Sequence, residues 1–118
     1  MPALNELRRN PGGEALNAYM HALARQPNPL GLLGAIYIIE GTGQRIIPAL
    51  LPLLQQLDLP AQPFRFLVYH GDNDVSHLAR WLNAVEMAIE LSPGCEQQII
   101  DVARATAELY VLQMEHVL

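Results

Sequence analysis

The positions of proline and glycine constrain the fold of this chain most, because they divide it into a few long segments that all carry helical periodicity. Apolar residues recur every three or four positions in residues 14–26, 30–57, 64–91 and from 95 towards the C-terminus. The stretches between them, "QPNP", "DLPAQP" and "SPG", are typical helix breakers. No segment shows the alternation of a strand. The sequence therefore predicts an all-α bundle of about four to five helices.

Two of these segments allow finer expectations. Segment 30–57 contains "EGTGQR" followed by Pro48 and Pro52, so we expect either a kinked helix or two helices that meet between Gly41 and Pro48. Cys95 is interpreted as a small residue near the start of the last helix. The spacing in that helix predicts a buried face formed by Ala103, Ala107, Tyr110, Met114 and Val117.

The composition leaves more apolar surface than a small domain can bury. The 118 residues have room for one domain, so 1–118 is expected to be a single all-α domain or a fragment of a larger one. Apolar residues make up 51% and charged residues 16%, against typical values of about 45–50% and 25%. We therefore expect a homo-oligomer, or association with further helical elements.

Charge and cysteine content exclude several classes of partner. The net charge is −5, the pI is near 5.2 and there is no lysine, which argues against a nucleic-acid partner. A single cysteine excludes an internal disulfide and makes the cytoplasm the default location. The apolar runs are shorter than about 20 residues and the N-terminus has no signal pattern, so no membrane partner is expected.

The stretch "VYHGDNDVSHLARWL" contains an unusual polar set on a helix that otherwise suits burial. His70, Asp74 and His77 are spaced by four and three residues, which places them within about 40° of a common direction on a helix. They are in line with Trp81 and Val85, so this face should point inward. Burying an unpaired carboxylate costs several kcal/mol, and a metal ion is the most economical counter-charge. Imidazole with carboxylate favours iron or manganese.

Further ligands in a helical bundle come from facing helices, usually as carboxylates. Glu40 ends the apolar run "LGLLGAIYIIE" and is the main candidate. Glu14 and His21 are weaker candidates, seven residues apart and thus on one face of the first helix.

The helix with His-x-x-x-Asp-x-x-His, preceded by a helix with a Glu, resembles the haem-oxygenase-like diiron oxidases, a group of iron-containing redox enzymes. "IYIIEGTG" is also similar to the "YVLEGS" type of segment in bacterial haem oxygenases, which share the bundle. The resemblance covers roughly residues 30–118. It implies a haem-oxygenase-like fold in which His70, Asp74 and His77 bind iron and Glu40 supplies a carboxylate from a second helix.

The same resemblance implies a function. In that family, two irons in a helical bundle reduce dioxygen, and a small organic substrate beside them is oxidised. The chain is therefore expected to be a non-haem iron oxidase or oxygenase with iron as cofactor, and dioxygen and a small molecule as partners.

The N-terminal part departs from the family pattern. The family's first ligand helix, with a Glu and a His, lies well upstream of the second Glu, whereas only 18 residues separate His21 from Glu40 here. Either Glu14 and His21 supply those ligands in a compact bundle that binds two irons, or the chain is a C-terminal portion. The second interpretation is preferred. It implies one iron or none, and a site completed by a missing N-terminal half or a partner chain.

Other interpretations stay open at this point. Asp72 or Asn73 would cap a helix beginning at about Asp74, and Glu40 would end a helix capped by Gly41 in the left-handed conformation. In functional terms, the alternatives are a metal-free helical dimerisation or binding module, and a haem-binding protein of the haem-oxygenase type.

Overall fold

The structure is a computed structural model that describes residues 8–57 and 65–116, excluding the side chains of 66, 67 and 70–75. Within these ranges the chain forms four α-helices and no strand: α1 (Pro11–Ala24), α2 (Leu32–Gln55), α3 (Arg65–Leu91) and α4 (Cys95–Glu115). A 3₁₀ turn, Pro29–Gly31, precedes α2. The predicted all-α fold is confirmed. The predicted connector at 58–63 lies outside the described residues.

The helix ends follow the local chemistry of the breakers. The side chain of Asn10 accepts a hydrogen bond of 2.8 Å from the backbone N–H of Gly13, and Pro11 occupies the first position of α1. Asn28 caps the 3₁₀ turn in the same way. Gly94 has a φ of 94°, a conformation that side chains other than glycine rarely adopt, and α4 begins directly after it.

Helix α2 runs without interruption through residues 41–48, so the alternative of two helices meeting there is wrong. Pro48 and Pro52 lie inside it and each removes one backbone donor. They are four residues apart and both exposed, so the two rings lie on one solvent-facing side of the helix. The helix continues past both prolines.

The chain divides into two compact units. Unit 1 comprises Met1–Ala35 and Gly94–Leu118, and unit 2 comprises Ile36–Pro93. Unit 1 thus contains α1, α4 and the first turn of α2, and unit 2 contains the rest of α2 and α3.

In unit 1, α4 is the element against which the others pack. Leu23, Ala35 and Val102 form a buried cluster, with Tyr19, Met20 and Leu32 packed against it. Asn10 also donates a hydrogen bond of 3.1 Å to the carbonyl oxygen of Gln113, which ties the start of α1 to the end of α4.

Close backbone approach in unit 1 depends on three glycines. A methyl group added at Gly12 would collide with the backbone of Leu112 and Gln113, and one at Gly34 with the carbonyl of Ile99. At Gly31, an added methyl would lie 2.8 Å from Cγ2 of Val102. Each contact sets a segment directly on α4, at a separation that a larger residue would prevent.

The predicted buried face of α4 is wrong by about one residue. The most buried positions are Cys95, Ile99, Val102 and Thr106, whereas Ala103, Ala107 and Tyr110 are only partly buried and Met114 is exposed. Val117 lies outside the described residues. One residue corresponds to a rotation of about 100°. The helical spacing of Tyr110 and Met114 with the two alanines suggested the other face, but Gly31 and Gly34 meet α4 on the side of Ile99 and Val102.

Candidate metal centre

Helix α3 continues through the polar stretch from which the metal hypothesis began. It is helical from Arg65 to Leu91, so the alternative in which Asp72 or Asn73 caps a helix starting at Asp74 is wrong. Gly71 and Asn73 are poor helix formers, at about 0.7–1 kcal/mol each relative to alanine. A helix of 27 residues accommodates them.

The inward face predicted for α3 is confirmed at the members whose side chains are described. Trp81 and Val85 are partly buried and Ala88 is buried, while neighbouring Leu82, Glu86 and Met87 are exposed. His77 belongs to the same line of residues and is also partly buried. The side chains of His70 and Asp74 lie outside the described part, and helix spacing alone assigns them to this face.

Glu40 and His77 meet within unit 2. The carboxylate oxygen Oε1 of Glu40 lies 3.5 Å from Nδ1 of His77, and the two side chains are 28% and 27% exposed. Glu40 is inside α2, and among the described residues only Gly94 has a positive φ. The alternative that Gly41 ends the helix in a left-handed cap is therefore wrong.

An aromatic pair lies one helical turn from these two side chains. The ring centroids of Tyr37 and Trp81 are 4.8 Å apart, with the planes tilted by 34°. Tyr37 precedes Glu40 by three residues, and Trp81 follows His77 by four. The two contacts define one antiparallel register between α2 and α3. The sequence assigned neither aromatic residue a role in the site. Only their helical spacing relative to Glu40 and His77 indicated that they lie next to it.

The same register places the backbone of the remaining α3 candidates opposite later turns of α2. In antiparallel helices, the residue numbers of facing positions add up to a nearly constant value. This value is 118 for Tyr37 and Trp81, and 117 for Glu40 and His77. Continued along both helices, the register sets position 74 opposite 43 or 44, and position 70 opposite 47 or 48. The backbone positions of all three candidate ligands on α3 therefore lie opposite the part of α2 that begins at Glu40.

Glu14 and His21 belong to unit 1. Both are exposed on α1, and Glu14 Oε1 lies 3.7 Å from a guanidinium nitrogen of Arg9. Their role as ligands stays a prediction. Among the described side chains, no group of three or more His, Cys, Asp or Glu is arranged to hold a metal ion.

Elsewhere in unit 1, burial and the negative charge of Asp101 raise the pKa of Tyr19 above its usual value of 10.0. No helix in the described part of the chain is long and apolar enough to cross a membrane.

The fold and the site together define the class of protein. It is an all-α protein in which a carboxylate on α2 pairs with a histidine on α3, between two antiparallel helices. The chain matches the family model described as "Iron-containing redox enzyme" over residues 4–111. It therefore belongs to this family of haem-oxygenase-like proteins. The match begins at residue 4, so it includes α1 with Glu14 and His21, and it covers the range of roughly 30–118 predicted from motifs as far as residue 111. Comparisons with curated proteins and with solved structures found no match.

Proposed function

We propose that this chain is a non-haem iron oxidase that activates dioxygen and oxidises a small organic substrate. Glu40, His70, Asp74 and His77 would be the iron ligands, on α2 and α3. The observation that carries the proposal is the meeting of Glu40 with His77, the one candidate pair whose side chains are both described in unit 2. The family supports iron and redox chemistry in general.

The separation of the two side chains suits a shared metal ion. A charge-assisted N–H···O hydrogen bond is typically about 2.7–2.9 Å long, and the 3.5 Å found here is longer. Two ligand atoms each about 2.1 Å from one ion, at an angle of about 90–110°, are about 3.0–3.4 Å apart. A small movement of either side chain would satisfy that geometry.

The chemistry of the donor set also fits iron. Two imidazoles and a carboxylate form the ligand set of many non-haem ferrous oxygenases, and additional carboxylates favour a second ion. Iron held by these residues would supply redox chemistry with dioxygen.

The protein side chains would hold and shield the reacting groups. Glu40 would supply an oxygen ligand and His77 a nitrogen ligand, from side chains that are each only about a quarter exposed. Tyr37 and Trp81 cover the neighbouring turn with apolar ring surface, which would exclude water on one side and present an apolar wall to a substrate.

The proposal is tested by iron binding and dioxygen uptake. The purified chain is loaded anaerobically with ferrous iron and desalted, and the retained iron is measured. We expect Glu40→Gln, Asp74→Asn and His77→Asn each to lower the affinity for iron at least about tenfold, and to abolish the iron-dependent consumption of dioxygen. Far-UV circular dichroism checks that each variant keeps its helices.

Glu14→Gln and His21→Asn are matched controls, because they change the same residue types at exposed positions on α1. Retained iron in both controls supports ligands on α2 and α3 alone, and loss of iron adds α1 to the ligand set. Equal iron binding by the wild type and by the Glu40, Asp74 and His77 variants would refute the proposal. A Soret band formed on adding haem, without ferrous binding, would favour the haem-binding alternative.

A further inference from the structure

Beyond Glu40, one polar side chain belongs to the otherwise apolar stripe along which α2 faces α3. The stripe starts with Tyr37 and Glu40, which contact α3. It continues at alternating intervals of four and three residues, the spacing that keeps one side of a helix against a partner helix. The members that follow Glu40 are Gln44, Ile47, Leu51 and Leu54. Gln44 is the polar one, and it lies one helical turn beyond the candidate ligand Glu40.

The burial of α2 follows the same stripe. Ile47 is buried, and Gln44, Leu51 and Leu54 are partly buried. Every residue that lies between these four positions in the sequence is exposed. Gln44 is therefore on the packed side of α2 within unit 2. Polar groups on the packed side of a helix are normally hydrogen-bonded, so the side-chain amide of Gln44 is placed there for a partner.

The antiparallel register of α2 and α3 sets Gln44 across from Asp74. In the register that the two interhelical contacts define, facing positions add up to 117 or 118, so position 44 lies opposite 73 or 74. Helix spacing assigns Asp74 to the same face of α3 as His77. The backbone of Asp74 therefore lies opposite Gln44, one turn along from the place where Glu40 meets His77.

The chemistry of a side-chain amide suits a neighbour of a metal-binding carboxylate. The NH₂ group of glutamine is a neutral donor of two hydrogen bonds, and a carboxylate offers about four lone-pair sites that accept them. Carboxylates that bind a metal are usually hydrogen-bonded by a further group that fixes their orientation. The amide oxygen of glutamine has no charge to offset that of a ferrous ion. Donation to the carboxylate is therefore favoured over direct binding of iron by Gln44.

We propose that Gln44 is a positioning residue that donates a hydrogen bond to the carboxylate of Asp74 when iron is bound. The inference rests on the proposed function, in which Asp74 is an iron ligand. The site would then consist of two successive layers between α2 and α3. In the first layer Glu40 and His77 both bind iron, and in the second layer Asp74 binds iron while Gln44 holds its carboxylate in place.

The experiment compares the affinity of the wild type and of Gln44→Met for ferrous iron, measured anaerobically by competition with a chelator. Methionine has nearly the length and helix propensity of glutamine but no hydrogen-bond donor in its side chain. We expect the iron dissociation constant to rise at least about tenfold, the usual effect of removing such a partner. Gln55→Met is the matched control, because it makes the same change at an exposed position of α2. It should bind iron as the wild type does.

A double-mutant cycle tests whether Gln44 acts through Asp74. In the Asp74→Ala background, Gln44→Met should weaken iron binding by less than about threefold, because the carboxylate on which the amide acts is gone. If Gln44→Met loses its helical circular dichroism, Gln44→Ala repeats the test with the residue of highest helix propensity. Equal losses of affinity in both backgrounds would overturn the proposal.

The same measurements distinguish failure of this inference from failure of the proposed function. Unchanged affinity in Gln44→Met, together with loss of iron in the Glu40 and His77 variants, would refute the role of Gln44 and leave the proposed function standing. A wild type that binds no ferrous iron would refute both.

Discussion

Gly34 and Gly41 lie seven residues apart on α2, and the same substitution at each should have opposite effects on stability. A methyl group at position 34 would collide with the carbonyl oxygen of Ile99 and lie 2.8 Å from the amide nitrogen of Ala103. At position 41 no described heavy atom lies within 4 Å of the added methyl. The two positions therefore separate the steric cost of alanine from its helix propensity.

The magnitude follows from these contacts. Overpacking costs about 1–3 kcal/mol, and we expect the upper end at Gly34 because both obstructing atoms are backbone. Helix propensity offsets about 1 kcal/mol, which leaves a net loss of about 2 kcal/mol in the free energy of unfolding. For a chain of this size that lowers Tm by about 8 °C. Gly41→Ala should gain about 0.5–1 kcal/mol and raise Tm by about 2–4 °C.

Thermal and urea unfolding followed by far-UV circular dichroism measures both variants against the wild type. The expected order of stability is Gly41→Ala, then wild type, then Gly34→Ala. A Gly34→Ala variant as stable as the wild type would show that α2 and α4 do not approach as closely as described, and would refute the reasoning.

Three further predictions concern single side chains. Thr106 is fully buried, and its hydroxyl has no hydrogen-bond partner among the residues that the structure describes. Thr106→Val should therefore stabilise the protein by about 1 kcal/mol in urea unfolding, whereas Thr106→Ser, which keeps the hydroxyl and loses the methyl, should destabilise it. Since the pKa of Tyr19 is raised in the folded state, its contribution to stability is present below pH 10.0 and declines as pH rises through the folded-state pKa. The urea midpoint of Tyr19→Phe should therefore fall less steeply above pH 10.0 than that of the wild type. Midpoints that fall in parallel would contradict this. Trp81→Leu removes the ring contact with Tyr37, which is worth about 0.5–1.5 kcal/mol. It should weaken the binding of ferrous iron, because it loosens the register that brings Glu40 to His77, and Trp81→Phe should restore that binding. Equal affinity for iron in Trp81→Leu and the wild type would refute a positioning role for Trp81.

The helices could be predicted because their signals are local. Pro11, Pro29 and Gly94 mark helix starts within a few residues, and apolar spacing on either side indicates the helical period. For residues 41–48 the sequence allowed one kinked helix or two helices, and it could not decide between them, because the exposure of Pro48 and Pro52 on one side of the helix is a property of the packed chain.

The candidate site was predictable in part for the same reason. The spacing of His77 and Trp81 on α3 indicated one inward face, and Glu40 stood out as a charge in an apolar run. The helical register that joins Tyr37 to Trp81 depends on contacts between segments about 40 residues apart, which no local pattern contains. The glycine contacts with α4 join residues that are even further apart in sequence, and this is why the buried face of α4 was assigned one residue too far along.

The two internal prolines of α2 also affect how its last turns move. Pro48 and Pro52 each remove one backbone hydrogen bond, so the portion of α2 beyond Gln44 is held by fewer of them than an equal length of α4. That portion should open more readily, and its amide protons should exchange with deuterium sooner than those in the middle of α4.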